Sequence, residues 1–185
     1  GQIVALSTTS VKALTTAQVV ALTTSQVAAL TTAQVAAIQS GDLQGLSTAQ
    51  IVALTTAQVR ALTGEQVAAL NTAQIRALDT EDVAALSIAQ LAGISTAQVA
   101  ALTTAQVAAL TSAQIRALST AQLGLLSTEQ VAAIEVADLQ QLTTVAIRAL
   151  SSSQVAALTS AQIAALGTAQ IVALDTVDVA ALSQE

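Results

Sequence analysis

The sequence contains no cysteine, histidine, proline, methionine or aromatic residue, and only 9% of its 185 residues are charged. Without cysteine there is no disulfide framework and no thiol chemistry. Without histidine, cysteine or tyrosine, and with Lys12 as its one lysine, only carboxylates and hydroxyls are left for acid–base or nucleophilic catalysis. We therefore expect no enzymatic activity, no catalytic residue and no bound cofactor.

Basic residues are also scarce, with five against eleven acidic residues and a net charge of −6. Binding to nucleic acids and to anionic membranes depends on Lys and Arg, so we expect neither. Apolar runs are short, as in residues 51–54, because Ser or Thr interrupts them. A bilayer span needs about 20 consecutive apolar residues, so no membrane insertion is expected. We also expect no small-molecule substrate.

What the sequence does have is an eight-residue unit close to Ser/Thr-Thr-Ala-Gln-Val-Ala-Ala-Leu, repeated without insertion or deletion. We number this octad so that Ser7 is position 1 and Leu14 is position 8. Twenty-two complete octads span residues 7–182, with partial ones at both ends. The repeat predicts a single array over residues 1–185. The chain opens within a repeat and shows no tripartite signal peptide, which suggests a piece of a longer array.

The order of residue types within the octad predicts a short helix. Position 5 is always aliphatic and position 8 is Leu or Ile, and on a helix these two positions share one face. Position 1 is almost always an N-cap residue such as Ser or Thr, and position 4 is mostly Gln. Ser/Thr-x-x-Gln is the capping box, in which each side chain satisfies a backbone N–H of the other residue.

The charged residues support the same interpretation. All five basic residues occupy position 6, and all eleven acidic residues occupy positions 1, 3 or 4. Carboxylates at the start of each octad and cations near its end suit a helix dipole that restarts every eight residues. The sequence therefore predicts one helix of about 10 Å in each octad.

Such short helices are marginal alone, so they must pack against each other. We expect an all-α fold in which successive helices wind into a compact α-solenoid, with roughly three to five octads per turn. Positions 5 and 8 fill its axis, the small residue at position 7 allows close helix contact, and position 6 faces solvent. The alternative is a β-solenoid, since Thr and Val favour strands.

A longer recurrence overlies the octad. Asp42 recurs as Asp138 and Asp82 as Asp178, each twelve octads on. This spacing indicates either the duplication of a twelve-octad block or a longer structural period.

Two groups of residues are candidates for binding. Asp79, Glu81 and Asp82 could hold a hard cation such as calcium. They also fall at the N-cap, N2 and N3 of one predicted helix, where the dipole favours negative charge, so we expect a structural role and no metal site. The regular Thr-Thr pairs, such as Thr15-Thr16, raise the alternative of an ice- or surface-binding protein with a regular Thr array.

The sequence Leu-Thr-Thr-Ala-Gln-Val-Val-Ala-Leu (residues 14–22) resembles the first helix of transcription-activator-like effector repeats, but the second helix and base-reading loop of those repeats are missing here. The whole chain resembles the Leu-Thr-x-x-Gln-Val/Ile-x-Ala-Leu octapeptide tracts of large bacterial secreted or surface, adhesin-like proteins. That resemblance implies a structural spacer in a secreted or cell-surface protein. We also expect self-association through the ends of the array.

Overall fold

The computed structural model describes residues 2–182 and divides the chain into two compact units, Gly1–Ile94 and Ser95–Glu185. The first unit opens with a 3-10 helix at Gln2–Ala5. Its eleven α-helices are α1 (Thr8–Lys12), α2 (Thr16–Val20), α3 (Thr24–Ala29), α4 (Thr32–Ala37), α5 (Ser40–Leu43), α6 (Thr48–Val52), α7 (Thr56–Ala61), α8 (Gly64–Ala69), α9 (Thr72–Ala77), α10 (Thr80–Ala85) and α11 (Ile88–Gly93).

The second unit repeats the same plan. Its helices are α12 (Thr96–Ala100), α13 (Thr104–Ala108), α14 (Ser112–Ala117), α15 (Thr120–Leu123), α16 (Thr128–Ala132), α17 (Val136–Leu139), α18 (Thr144–Arg148), α19 (Ser152–Ala156), α20 (Ser160–Ala165), α21 (Thr168–Ala173) and α22 (Thr176–Leu182). The prediction of one short helix per octad is thus confirmed. No strand occurs within residues 2–182, so the β-solenoid alternative is excluded.

Several helices, α7 among them, are followed directly by two consecutive residues with extended backbone angles. Between α7 and α8, Leu62 at position 8 has φ −58° and ψ 141°, and Thr63 at position 1 has φ −73° and ψ 160°. These angles suit any L-residue, and no residue in the described part of the chain has a positive φ. Because no special backbone conformation is needed, the connection requires neither Gly nor Pro and no additional residues.

Within each unit, a helix packs on the third helix before it and the third after it in chain order. In the first unit α4 packs on α7 and α5 on α8, and in the second α18 packs on α21 and α19 on α22. Each unit therefore forms a solenoid with a turn of more than three octads, within the predicted range. This is the packing expected of repeats that contact only their neighbours.

The core consists of positions 4, 5 and 8. Position 5 residues from Val11 to Val155 are 0–2% exposed, and position 8 residues from Leu30 to Leu174 are 3–9% exposed. Position 6 is exposed or half-buried throughout the described residues, as predicted. The basic residues at that position lie in the last turns of their helices, as at Arg60 in α7. The interior is thus aliphatic, and in most octads the polar residue at position 4 is buried among the aliphatic side chains.

None of the helices in residues 2–182 has both the length and the apolar character that a membrane-spanning segment requires.

Candidate functional site

The predicted capping box is present in most octads. In α7 the backbone N–H of Thr55 donates to Oε1 of Gln58 at 2.7 Å, and the backbone N–H of Gln58 donates to the Thr55 hydroxyl at 3.3 Å. Where Gly167 replaces the capping hydroxyl, its N–H still donates to Oε1 of Gln170 at 2.9 Å. The side chain at position 4 therefore keeps its capping role even where position 1 has no side chain to offer.

The same Gln side chain has a second role that the capping pattern does not reveal. Nε2 of Gln58 donates to the carbonyl oxygens of Val27 at 2.9 Å and Leu30 at 2.7 Å, on the preceding turn of the solenoid. We call this repeated contact the glutamine ladder. Its bonds to position 8 carbonyls measure 2.5–2.8 Å and always span 28 residues. They are made by Gln34, Gln50, Gln58, Gln66, Gln74, Gln90, Gln130, Gln154, Gln162 and Gln170.

Burial of the ladder is nearly complete, since these Gln side chains are 1–6% exposed. No buried side-chain nitrogen or oxygen in the described residues lacks a hydrogen-bond partner. Unpaired buried amides would cost about 1–3 kcal/mol each, so the pairing is necessary for the fold. One sequence signal does point to it. Glu fits a capping box as well as Gln does, yet position 4 never contains Glu. A Glu carboxylate there would face carbonyl oxygens.

Four octads carry Asp at position 4 and make a different contact. One oxygen of Asp178 accepts from its own N-cap amide, the N–H of Asp175, at 3.2 Å. The other accepts from the hydroxyl of Ser152, 26 residues earlier, at 2.9 Å. Because Asp cannot donate, it bonds to a position 2 hydroxyl on the preceding turn instead of a carbonyl. The complete set is Asp42 with Thr16, Asp82 with Thr56, Asp138 with Ser112, and Asp178 with Ser152.

These four pairs reproduce the twelve-octad recurrence of the sequence. The Asp42–Thr16 pair corresponds to Asp138–Ser112, which lies 96 residues later in the sequence. The recurrence therefore includes the partner hydroxyls as well as the carboxylates. It gives each unit two such bonds at matching octads.

The acidic group Asp79, Glu81 and Asp82 lies at the start of α10, as predicted. Asp82 is 3% exposed, and burial raises the pKa of its carboxyl above the ordinary 3.8. Hydrogen bonds from Thr56 and from the backbone of Asp79 oppose this rise, while the charges of Asp79 and Glu81 add to it. The Asp79 side chain makes no capping bond. Within residues 2–182, no three acidic side chains are grouped in a way that could hold a metal ion.

The first unit leaves part of the ladder unused. Gln18 and Gln26 accept capping bonds from Thr15 and Thr23, as their counterparts do, yet both are exposed. No described residue accepts a hydrogen bond from either Nε2.

The second unit leaves acceptors unused. No side chain in the described residues donates to the carbonyl oxygens of Leu166 and Leu174, although their counterparts Leu30 and Leu126 accept from the ladder. The nearby position 5 residues are also uncovered, with Ile171 38% and Val179 51% exposed.

Comparison with known families accounts for most of the chain. A family model described as the ALTTAQ repeat matches residues 1–32, 35–72, 65–92, 75–112, 108–133 and 131–168. The chain belongs to the ALTTAQ repeat family. The six one-letter codes in that name correspond to Ala-Leu-Thr-Thr-Ala-Gln at residues 13–18. This segment includes the last residue of one octad and the N-cap and position 4 Gln of the next. A comparison with curated proteins found no match.

Proposed function

We propose that this ALTTAQ repeat chain is a non-enzymatic structural scaffold. It would serve as a spacer or stalk segment of a larger bacterial surface or secreted protein, with runs of the repeat joining end to end. The observation that carries the proposal is the use of the polar residue at position 4. In the octads where this residue is buried, its hydrogen-bonding groups hold one turn to the next, which builds a repeated structure and leaves none of those groups for a ligand.

The surface also fits this role. Positions 2, 3 and 6 are mostly Thr, Ala and Ser, with few charges and short side chains. The bacterial setting is supported by the resemblance to octapeptide tracts of secreted and surface proteins. Chain length would then be the property under selection, because octads can be added without changing the local contacts.

A spacer is tested by measuring distance. We would place the chain between two fluorescent reporter domains and insert one, two or three extra interior octads, each a copy of residues 55–62. A scaffold gives a narrow distance distribution for every insertion, with a mean that increases with each complete turn of added octads. A flexible linker gives a broad distribution that grows with the square root of length. The broad result would refute the scaffold role.

A second candidate function is binding to ice or another regular surface. The observation in its favour is that position 2 Thr side chains such as Thr24, Thr48 and Thr72 are exposed at regular intervals. Thermal hysteresis and the shaping of ice crystals measure this activity directly. Replacing these three residues with Val and, separately, with Ala would show whether hydroxyl or methyl groups are responsible. Ice growth that is unaffected by the native chain would exclude this alternative.

A further inference from the structure

One interior octad has no polar side chain at position 4. That position is Gln, Asp or Ser in every other complete octad, but in residues 143–150 it is Ala146. Ala146 is 8% exposed, so it is buried between turns as the ladder residues are. Helices of the same unit precede and follow this octad for several repeats in both directions. The missing carboxamide is therefore an internal feature of the second unit.

The carbonyl oxygen of Leu118 loses the donor that a Gln would provide. In the next octad of the ladder, Gln154 donates to the carbonyl of Leu126, 28 residues earlier, at 2.7 Å. Leu118 lies 28 residues before Ala146, and no side chain in residues 2–182 donates to its carbonyl oxygen. Leu118 is 7% exposed. A buried carbonyl without a donor raises the free energy of the packed state.

Helix α18 also keeps only half of its capping box. The Thr143 hydroxyl accepts from the N–H of Ala146 at 3.2 Å, but no side chain in the described residues accepts from the N–H of Thr143. At the start of α16 both halves are present. Oε1 of Gln130 accepts from the N–H of Ser127 at 2.6 Å, and the Ser127 hydroxyl accepts from the N–H of Gln130 at 3.1 Å. The Ala146 octad thus lacks one local bond and one bond between turns.

Polar bonds on either side limit this gap to a short segment. In the octad before it, Asp138 accepts from the hydroxyl of Ser112, and in the octad after it, Gln154 donates to Leu126. Within residues 139–153, no side chain makes a hydrogen bond to the preceding turn. Here α18 is held to α15 by apolar packing.

We propose that the second unit opens first at residues 143–150, so that the missing carboxamide sets the place where one turn separates from the turn before it. Local opening requires least free energy where few buried bonds must break. Opening also gives water access to the carbonyl of Leu118 and the N–H of Thr143, which have no side-chain partner in the packed state. This inference rests on the proposed scaffold role, and it adds a defined point at which a spacer yields under load or heat.

Hydrogen exchange of single amides, measured by NMR on the full 185-residue chain, tests the inference. The amides of Ile147 and Leu150, the gap pair, are compared with those of Val131 and Ile134, the reference pair, which occupy the same octad positions. Ile147 and Val131 are both 0% exposed, and the N–H of each donates to its N-cap carbonyl at 3.0 Å. After correction for intrinsic rates, we expect the gap pair to exchange at least tenfold faster than the reference pair.

Two variants move the gap along the array. Ala146→Gln supplies the carboxamide and should slow exchange of the gap pair at least tenfold. Gln130→Ala removes the carboxamide from the reference octad and should speed exchange of the reference pair by a similar factor. The matched control is Val145→Gln, which adds the same side chain at the adjacent position 3, where the native residue is 62% exposed. It should leave both pairs unchanged.

Equal protection of the two pairs in the native chain would overturn the inference, and so would unchanged protection of the reference pair in Gln130→Ala. Slowing of the gap pair by Val145→Gln as large as that by Ala146→Gln would also overturn it, because helix propensity would then explain the effect. Circular dichroism shows whether Ala146→Gln folds, and if its helical signal is lost, Gln130→Ala decides.

The reporter distances test the scaffold role separately. Narrow distance distributions together with equal protection of the two pairs would refute only the point of first opening. Broad distributions would refute the scaffold role, whatever the exchange rates of the two pairs.

Discussion

Nε2 of Gln58 donates to the carbonyl oxygen of Leu30 at 2.7 Å, while Oε1 of the same amide accepts from the N–H of Thr55 at 2.7 Å. One side chain thus begins its own helix and fixes that helix to the preceding turn. Because Gln58 is 2% exposed, neither bond competes with water. Local capping and long-range packing are therefore coupled through a single planar group, repeated along the array.

The first prediction separates these two roles with Gln58→Glu. The substitution keeps the capping acceptor but places a carboxylate against the carbonyl oxygens of Val27 and Leu30. An uncompensated buried charge should lower the free energy of unfolding by about 3 kcal/mol. Denaturation in urea, monitored by circular dichroism, measures the change.

The control is Gln26→Glu, at a residue with the same capping box to Thr23 but an exposed side chain. Its effect on the free energy of unfolding should lie within about 0.5 kcal/mol, as for most surface substitutions. Equal losses at the two sites would mean that capping alone explains the choice of Gln.

Much of the fold could be predicted because its determinants are local. The caps at position 1, the aliphatic residues at positions 5 and 8 and the sorting of charge all act within one octad, so the sequence pattern identified the helices and both aliphatic core positions. The partner of Gln58 lies 28 residues away, at a distance set by the number of octads per turn. That number depends on the two extended residues at each junction and on side-chain packing, which no residue pattern specifies.

The second prediction concerns the Thr56 hydroxyl, which donates a hydrogen bond to the carboxylate of Asp82. Replacing Thr56 with Val keeps the shape of the side chain but leaves a buried carboxylate oxygen without the donor it has in the native chain. We expect a loss of about 1–3 kcal/mol in the free energy of unfolding. Thr48→Val is the matched control, because the octad three repeats later carries Gln74 in place of Asp and Thr48 is exposed. A loss of similar size at Thr48 would contradict the pairing.

The third prediction uses the raised pKa of Asp82. The folded chain holds the carboxyl proton more tightly than the unfolded chain, whose pKa is near 3.8. The contribution of this group to stability is therefore fully present below about pH 3.8 and is lost as the pH rises through the folded pKa. Asp82→Asn mimics the protonated form. Its free energy of unfolding, relative to that of the native chain, should therefore increase from about pH 3.8 up to the folded pKa and then level off.

Urea titrations of both chains at several values between about pH 3 and pH 7 measure that difference, and the other carboxyls, common to both chains, largely cancel. Burial is the main cause of the raised pKa, with the charges of Asp79 and Glu81 adding to it. A stability difference that is constant with pH would show that the carboxyl of Asp82 ionises equally easily in both states, and one that shrinks as the pH rises would show that folding lowers its pKa.

The candidate site could be predicted only in part. Asp79, Glu81 and Asp82 were correctly placed at a helix start, because capping is local. Their neighbour Thr56 could not be found, since it lies on another turn. The twelve-octad recurrence of Asp42 and Asp82 was visible in the sequence, and position 2 carries a hydroxyl at each of the four partners. Hydroxyls are so common at position 2 that this coincidence was not distinctive.

The fourth prediction concerns the close approach of two turns at Gly45. A Cβ at this residue would lie 2.6 Å from Cγ2 of Val20 and 3.2 Å from Cγ2 of Thr16. Val20 is β-branched and cannot rotate away freely. Gly45→Ala should therefore destabilise the first unit by about 1–3 kcal/mol through overpacking. Val20→Ala removes the conflicting methyl group, so the double variant should recover most of that loss.

The control is Gly41→Ala in α5, where a Cβ would meet nothing within 4 Å. Ala is the better helix former, so this change should stabilise the chain by about 0.5–1 kcal/mol. Urea denaturation of the native chain, the two single variants Gly45→Ala and Val20→Ala and their double variant gives the double-mutant cycle. If Val20→Ala fails to rescue Gly45→Ala, the contact between α2 and the end of α5 does not limit how closely these turns pack.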